Sequence, residues 1–231
     1  MPRLLPHLAI AVPALLLSTA ASAEDRGVVY TGGSAGNGYN LYGGAVVSLP
    51  GNALGKGLAI RGGASGGEYR YTSAGSRIEG RYLSGELALV YQTSGAWGWA
   101  NFSAGPRVTD TKLSPFDPAN KLSGTRWDAA VQSDGAVGKT WRLNWFGSLG
   151  VIDGTYITEV RFGPRVGSDR RTHLGVEGGV QGDSSYTQGR LGLFAATSLA
   201  PKTEGRISFG ATDQAGRHAK PYVALGLSRT F

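Results

Sequence analysis

Outside its first 23 residues the chain holds two histidines, His173 and His218, and it has no cysteine anywhere. Nucleophilic catalysis by a serine needs a histidine base with a carboxylate or hydroxyl in hydrogen-bond reach. The best pairing on offer is His173 with Glu177. On an extended strand the two share a face but stand roughly 13 Å apart, too far for direct proton relay. With Arg171 beside them, the set reads as an ion-pair network in a polar interior. Metal binding lacks ligands, because there is no cysteine and no histidine pair at coordinating spacing. Strings such as GxGxxG carry no weight in a chain of 38 glycines, and none opens a helix. No catalytic residue, metal or cofactor is expected, and no feature calls for nucleic acid.

The densest set of ligand-type side chains lies in Thr109 to Asp128, TDTKLSPFDPANKLSGTRWD. Ser114-Pro115 and Asp117-Pro118 set turns, Asn120 caps its own loop, and Gly124 releases the chain into the next strand. Phe116 and Trp127 offer flat apolar faces; Asp117, Asn120, Arg126 and Asp128 offer polar groups. Sugars bind such combinations, because their apolar ring faces stack on aromatics while their hydroxyls need paired polar partners. The plain alternative is a rigid extracellular loop.

The elements that must position these residues follow from the rest of the chain. Arg3, the apolar run Leu8 to Leu17 and the small residues Ala21-Ser22-Ala23 read as a secretory signal over residues 1–23, leaving 24–231 as one exported domain. The run is too short to span a bilayer as a helix. Without cysteine, an exported fold must hold by hydrogen bonds and burial alone. The formal charge is +7; losing Arg3 with the signal leaves +6, enough to meet lipopolysaccharide phosphates or an acidic glycan, or to serve only as interior and loop charge. Five Trp, ten Tyr and abundant Gly suit strands whose two faces meet different solvents.

Alternation and turn residues place about twelve strands near 26–35, 38–49, 56–72, 77–93, 96–110, 122–135, 138–151, 155–167, 170–181, 187–200, 203–212 and 219–231. The final segment sets Val223, Leu225 and Leu227 against Tyr222, Ala224, Gly226 and Ser228, and finishes on Phe231. A free edge strand invites aggregation, so closure onto the first strand is expected. The fold class is therefore all-β, a closed antiparallel transmembrane β-barrel. The end at Phe231 resembles the assembly signal of outer-membrane barrels, and Arg229, on the apolar parity, departs from it. Thr111 to Lys121 is the longest outward connection, and Gly95, Ser168-Asp169 and Pro201-Lys202 are tight periplasmic turns; Pro50 to Gly55 is a longer exception.

In Lys139 to Val151, Trp141, Leu143, Trp145, Leu149 and Val151 share one face, and Thr140, Arg142, Asn144 and Ser148 the other. Trp97, Trp99, Trp141 and Trp145 fall at the periplasmic rim, where an aromatic girdle sits, and Trp127 falls at the opposite rim. Arg61, Glu86, Arg142, Glu159, Arg161, Arg171, His173, Glu177 and Arg190 fall on the opposite faces. In lipid each charge would cost about 2–4 kcal/mol, so these groups belong in a polar lumen. Two places break the rhythm. Leu58 and Ile60 are out of phase with Tyr69 and Tyr71, which a bulge at the intervening glycines would repair. Trp97 and Trp99 share parity with Asn101 and Ser103.

The string SPFDPANKLSGTRW, preceded by VTDTKL, resembles the corresponding loop of the bacterial cellulose biosynthesis protein BcsS family. Gly57–Arg61 with Gly67 to Tyr71, the Gly-rich Tyr30–Gly44, Gly178–Gly182 and Tyr186 to Gly192 are similar too. The resemblance implies an outer-membrane barrel tied to cellulose production, and it supplies no catalytic residues. The expected function is a non-enzymatic accessory that assists export, anchoring or organisation of the glycan at the cell surface. A general diffusion pore and a lipid- or peptide-modifying enzyme are the alternatives. Expected partners are outer-membrane lipid and lipopolysaccharide, the barrel assembly machinery, and cellulose or its synthesis components.

Overall fold

The computed structural model describes residues 25–214 and 218–231. The segment read as a signal peptide, 1–23, lies outside these residues. Twelve strands follow in order: β1 (Gly27–Ala35), β2 (Tyr39–Ser48), β3 (Gly57–Ser73), β4 (Ser76–Gly95), β5 (Gly98–Ser114), β6 (Gly124–Val137), β7 (Trp141–Gly150), β8 (Tyr156–Val166), β9 (Thr172–Gly182), β10 (Thr187–Ala200), β11 (Thr203–Gln214) and β12 (Lys220–Thr230). Each pairs antiparallel with its sequence neighbours, and β1 pairs with β12 to close the barrel. The seam runs from Val28↔Thr230 to Ala35↔Val223. The Phe231 carbonyl extends it, accepting from the Arg26 and Gly27 amides at 2.7 and 3.0 Å. Among the described residues no strand edge is left open.

The two faces of the wall carry opposite chemistry. Outward side chains include Leu83, Leu87, Leu191, Leu193, Phe209 and Leu225, all among the exposed large hydrophobics, with Leu191 70% exposed. A belt of that kind is stable only against hydrocarbon. Inward side chains are polar yet inaccessible: Glu177 and Ser208 are 0% exposed and Arg61 3%. An apolar nucleus of Val46, Ala59 and Val90, flanked by Val28 and Tyr30, packs inside β1–β4. The core of this molecule is therefore the bore itself, as a small barrel requires.

The breaks in rhythm resolve without bulges. Pairing of β3 with β2 and with β4 keeps one register throughout, from Ser48↔Ala59 to Tyr39↔Glu68 and from Gly57↔Gln92 to Ser73↔Ser76. Tyr69 and Tyr71 therefore share the inward parity of Ala59 and Arg61, and the expected bulge is absent. The hydrophobic side of β3 changes because the strand outgrows the bilayer, so its upper outward face meets water. Strands β3, β4 and β5, at 17, 20 and 17 residues, raise one tall wall on the extracellular side. Much of the outside–inside asymmetry lies in this wall; the β3–β4 turn itself is only residues 74–75. The longest outward connection is 115–123, shorter at its start and longer at its end than the expected Thr111 to Lys121.

Candidate functional site

Two side-chain networks line and fill the bore. In the first, Arg61 of β3 reaches past its neighbours to donate to Gln132 at 2.5 Å and Ser103 at 3.3 Å, and it pairs with Asp134. Asn101 donates to Asp134 at 3.0 Å, Gln92 to Asn101 at 3.3 Å, and Ser48 to Gln92 at 3.2 Å. Gln132 also donates to Glu86 at 2.7 Å. In the second, Glu177 accepts from Tyr222 at 2.8 Å and from Ser208 and Arg206 at 2.9 Å each. Glu159 binds Arg161 at 2.9 Å and Arg206 at 3.3 Å, and also pairs with Arg190. Arg206 reaches Tyr42 at 3.5 Å, tying β11 to β2 past β12 and β1. Buried charges persist only when so fully partnered.

The extracellular mouth is built from phenols and amides. Tyr69 stacks on Tyr71 and on Tyr186, with centroids 6.1 and 5.5 Å apart, and tilts against Tyr82 at 6.3 Å. The Tyr69 ring lies over Gly80, where any side chain would collide with it. Asn40 donates to Tyr82. Loop 115–123 folds down onto this stack. The Tyr71 hydroxyl donates to Asp117 at 2.8 Å and accepts from Asn120 at 2.9 Å, and all three residues are buried. Donation from Tyr71 holds the Asp117 carboxyl below the usual carboxylate range. Burial pushes Asp183 and Tyr186, in the neighbouring loop, upward. The Asp117 and Asn120 side chains also accept from the amides of Ala119 and Leu122, so each loop residue that touches Tyr71 is fixed twice.

A tall-walled, closed barrel carrying this loop can be set beside known proteins. The model of the cellulose biosynthesis protein BcsS family matches residues 28–231, which spans every strand. The chain belongs to the BcsS family. None of the curated proteins matches it in sequence. Solved outer-membrane barrels share its fold. An outer membrane channel from Pseudomonas putida F1 aligns at TM-score 0.52 and 15% identity, covering 91% of this chain and 97% of the channel. The beta domain of the Bordetella autotransporter Brka aligns at TM-score 0.50 and 14% identity, covering 90% and 100%. Fold, apolar belt and family together support an outer-membrane location for this BcsS-family barrel.

The loop residues do not converge on one ligand. Phe116 is 70% and Trp127 68% exposed, but Trp127 lies on the outward face of β6. Asp117 and Asn120 are spent on Tyr71. Arg126 pairs with Asp153 at 2.5 Å. Asp128 points inward, binding Arg107 and accepting from the Ile152 amide at 2.8 Å each. The glycan platform expected from all six residues thus reduces to the exposed ring of Phe116, with Trp127 separate on the outer wall.

In the bore, Arg61, Glu86, Arg142, Glu159, Arg161, Glu177 and Arg190 all face inward as expected. Arg171 does not join them. It sits in the periplasmic turn 167–171, is 70% exposed and pairs with Asp169 at 3.6 Å, because the chain leaves the wall before reaching it. His173 faces inward, but its Nε2 bonds the Gly163 carbonyl at 2.8 Å and its ring packs edge-on against Phe194 at 4.8 Å. It takes no part in the ion pairs. Among the described residues, no group of three or more His, Cys, Asp or Glu could hold a metal ion.

Trp141 lies outside, stacked on Phe162 at 5.4 Å, and Trp145 lies outside, donating to Ser133 at 3.0 Å. Trp97 is exposed in the β4–β5 turn. Trp99 differs. Its lateral row runs through Ala136, Asn144 and Arg161 to Glu177, all inward positions, so Trp99 stands at the periplasmic mouth of the bore rather than in the outer girdle. Sequence reasoning missed Arg206 and Arg107. Arg206 had a signal, since it alternates with Ile207 and Phe209 in step with Ser208.

Proposed function

We propose that this BcsS-family barrel is a non-catalytic accessory of cellulose production, working at the outer surface by anchoring or organising the glucan rather than conducting it. The filling of the bore by side chains carries this reading. Glu177, Ser208, Val46 and Val90 are wholly covered by other inward side chains, and a sugar ring is far wider than water. Side chains tied between strands along both walls narrow the path that a glucan chain would need. The extracellular face instead offers an aromatic ring, Phe116, on a loop that Tyr71 holds still. Stacking on a pre-ordered ring costs little conformational entropy. Lipopolysaccharide contact falls to the outward ion pairs of the tall wall, Glu68, Arg70, Glu79 and Arg81, above the hydrocarbon belt. The assembly machinery reads the last strand through Phe231.

The test is surface retention of cellulose on whole cells carrying Phe116→Ala. Loss of retention, with barrel abundance unchanged, supports the reading. Normal retention in that variant and in Phe116→Ala/Trp127→Ala overturns it.

A further inference from the structure

The periplasmic end of the bore carries a cation excess that the closing networks do not use. Arg142 is the second residue of β7 and Arg165 the last but one of β8. Arg142 pairs across with Gly163, so Arg161 and Arg165, two residues either side of Gly163, are its diagonal inward neighbours. Three guanidinium groups therefore surround one point of the wall. Arg161 is matched by Glu159. Among the described residues Arg142 has only Glu204 as an ion-pair partner, at 3.7 Å, and that carboxylate is about half exposed. Among the described residues Arg165 has no ion-pair partner, and its Nε is buried without any hydrogen-bond partner. His173, across from Arg165, adds no anion. The Arg142 and Arg161 side chains each keep 18% exposure, so water reaches this end of the bore. The inward Trp99 lines the same mouth.

We propose that this periplasmic vestibule is a binding site for a small oxyanion group, carboxylate or phosphate, held by Arg142 and Arg165. A guanidinium fork matches either group bidentately, and an orphaned buried Nε is the donor such a ligand would satisfy. The site faces the opposite side of the membrane from Phe116, so it stands or falls independently of the glucan reading.

The full-length barrel in detergent at low salt, titrated calorimetrically with inorganic phosphate, with glucuronate and with neutral glucose, provides the test. Saturable binding of an anion, with none of glucose, is expected. Preference for phosphate points to a headgroup or free phosphate, and preference for glucuronate to an acidic sugar or peptide. The Arg142→Gln/Arg165→Gln variant is expected to bind at least about tenfold more weakly, with Arg229→Gln, on the outer face, unchanged. Should the double variant fail to fold, wild-type binding is expected to weaken steeply as salt is raised. No saturable binding of either anion, salt-independent binding, or full affinity in the folded double variant overturns the proposal.

Discussion

The middle of the bore and its extracellular mouth are lined by the same inward parity, yet they are closed by different chemistry. The middle is ionic: Arg61 with Asp134, and Arg206 with Glu159 and Glu177, reach across strands that are not neighbours. The mouth is a stack of tyrosines with one loop pinned by a single hydroxyl. An ionic network fails expensively, because removing one member leaves charges buried without partners. A phenol–amide latch fails locally, because what it releases can turn to water. The barrel thus has a buried ionic lining and, above it, a surface loop whose order is separable from the fold.

Glu177→Ala breaks this contrast most strongly. It leaves Arg206, Ser208 and Tyr222 facing an empty site, and about 3–5 kcal/mol of stability is expected to go. The denaturant midpoint of barrels refolded into vesicles reads it. Arg61→Ala is expected to cost less, about 2–3 kcal/mol, because Asp134 keeps 19% exposure and water can reach it. The same vesicle measurement serves, and a cost equal to that of Glu177→Ala would mean that the two networks are equivalent.

Tyr71→Phe sharpens the contrast from the other side. It removes the donor to Asp117 and the acceptor for Asn120 together. Protease cleavage within loop 115–123 is expected to quicken about tenfold, with the denaturant midpoint scarcely moved. The smallest effect is on pH. Asp117 has its folded value lowered, so the latch contributes in full above the ordinary carboxylate value and is lost only as pH falls through the depressed one. The fluorescence of a probe on the exposed Lys121 is expected to stay flat from neutral pH down to about pH 4 and to change only below it.

Most of the barrel was legible in period-2 alternation. Val223, Leu225 and Leu227 set against Tyr222 and Ala224 gave both the strand and its outward face. The inward placement of Arg61, Glu159 and Glu177 followed from the cost of charge in lipid. Tyr69, Tyr71 and Trp99 were misplaced for one shared reason. Large aromatics were assigned outward on hydrophobicity, whereas the register continues unbroken and the tyrosine hydroxyls find partners inside. The loop residues were misjudged as free ligands because the sequence does not show that Tyr71, over 40 positions earlier, comes up beneath Asp117 and Asn120. Arg171 was assigned by parity beyond the point where its strand begins at Thr172.

The sealed bore is the claim on which the surface role rests, and planar-bilayer recording of the purified barrel tests it most directly. Wild-type protein is expected to give no stepwise conductance, while Glu177→Ala and Arg61→Ala, where they fold, introduce it. Steady ohmic steps from wild-type protein, unchanged by either substitution, would contradict the account.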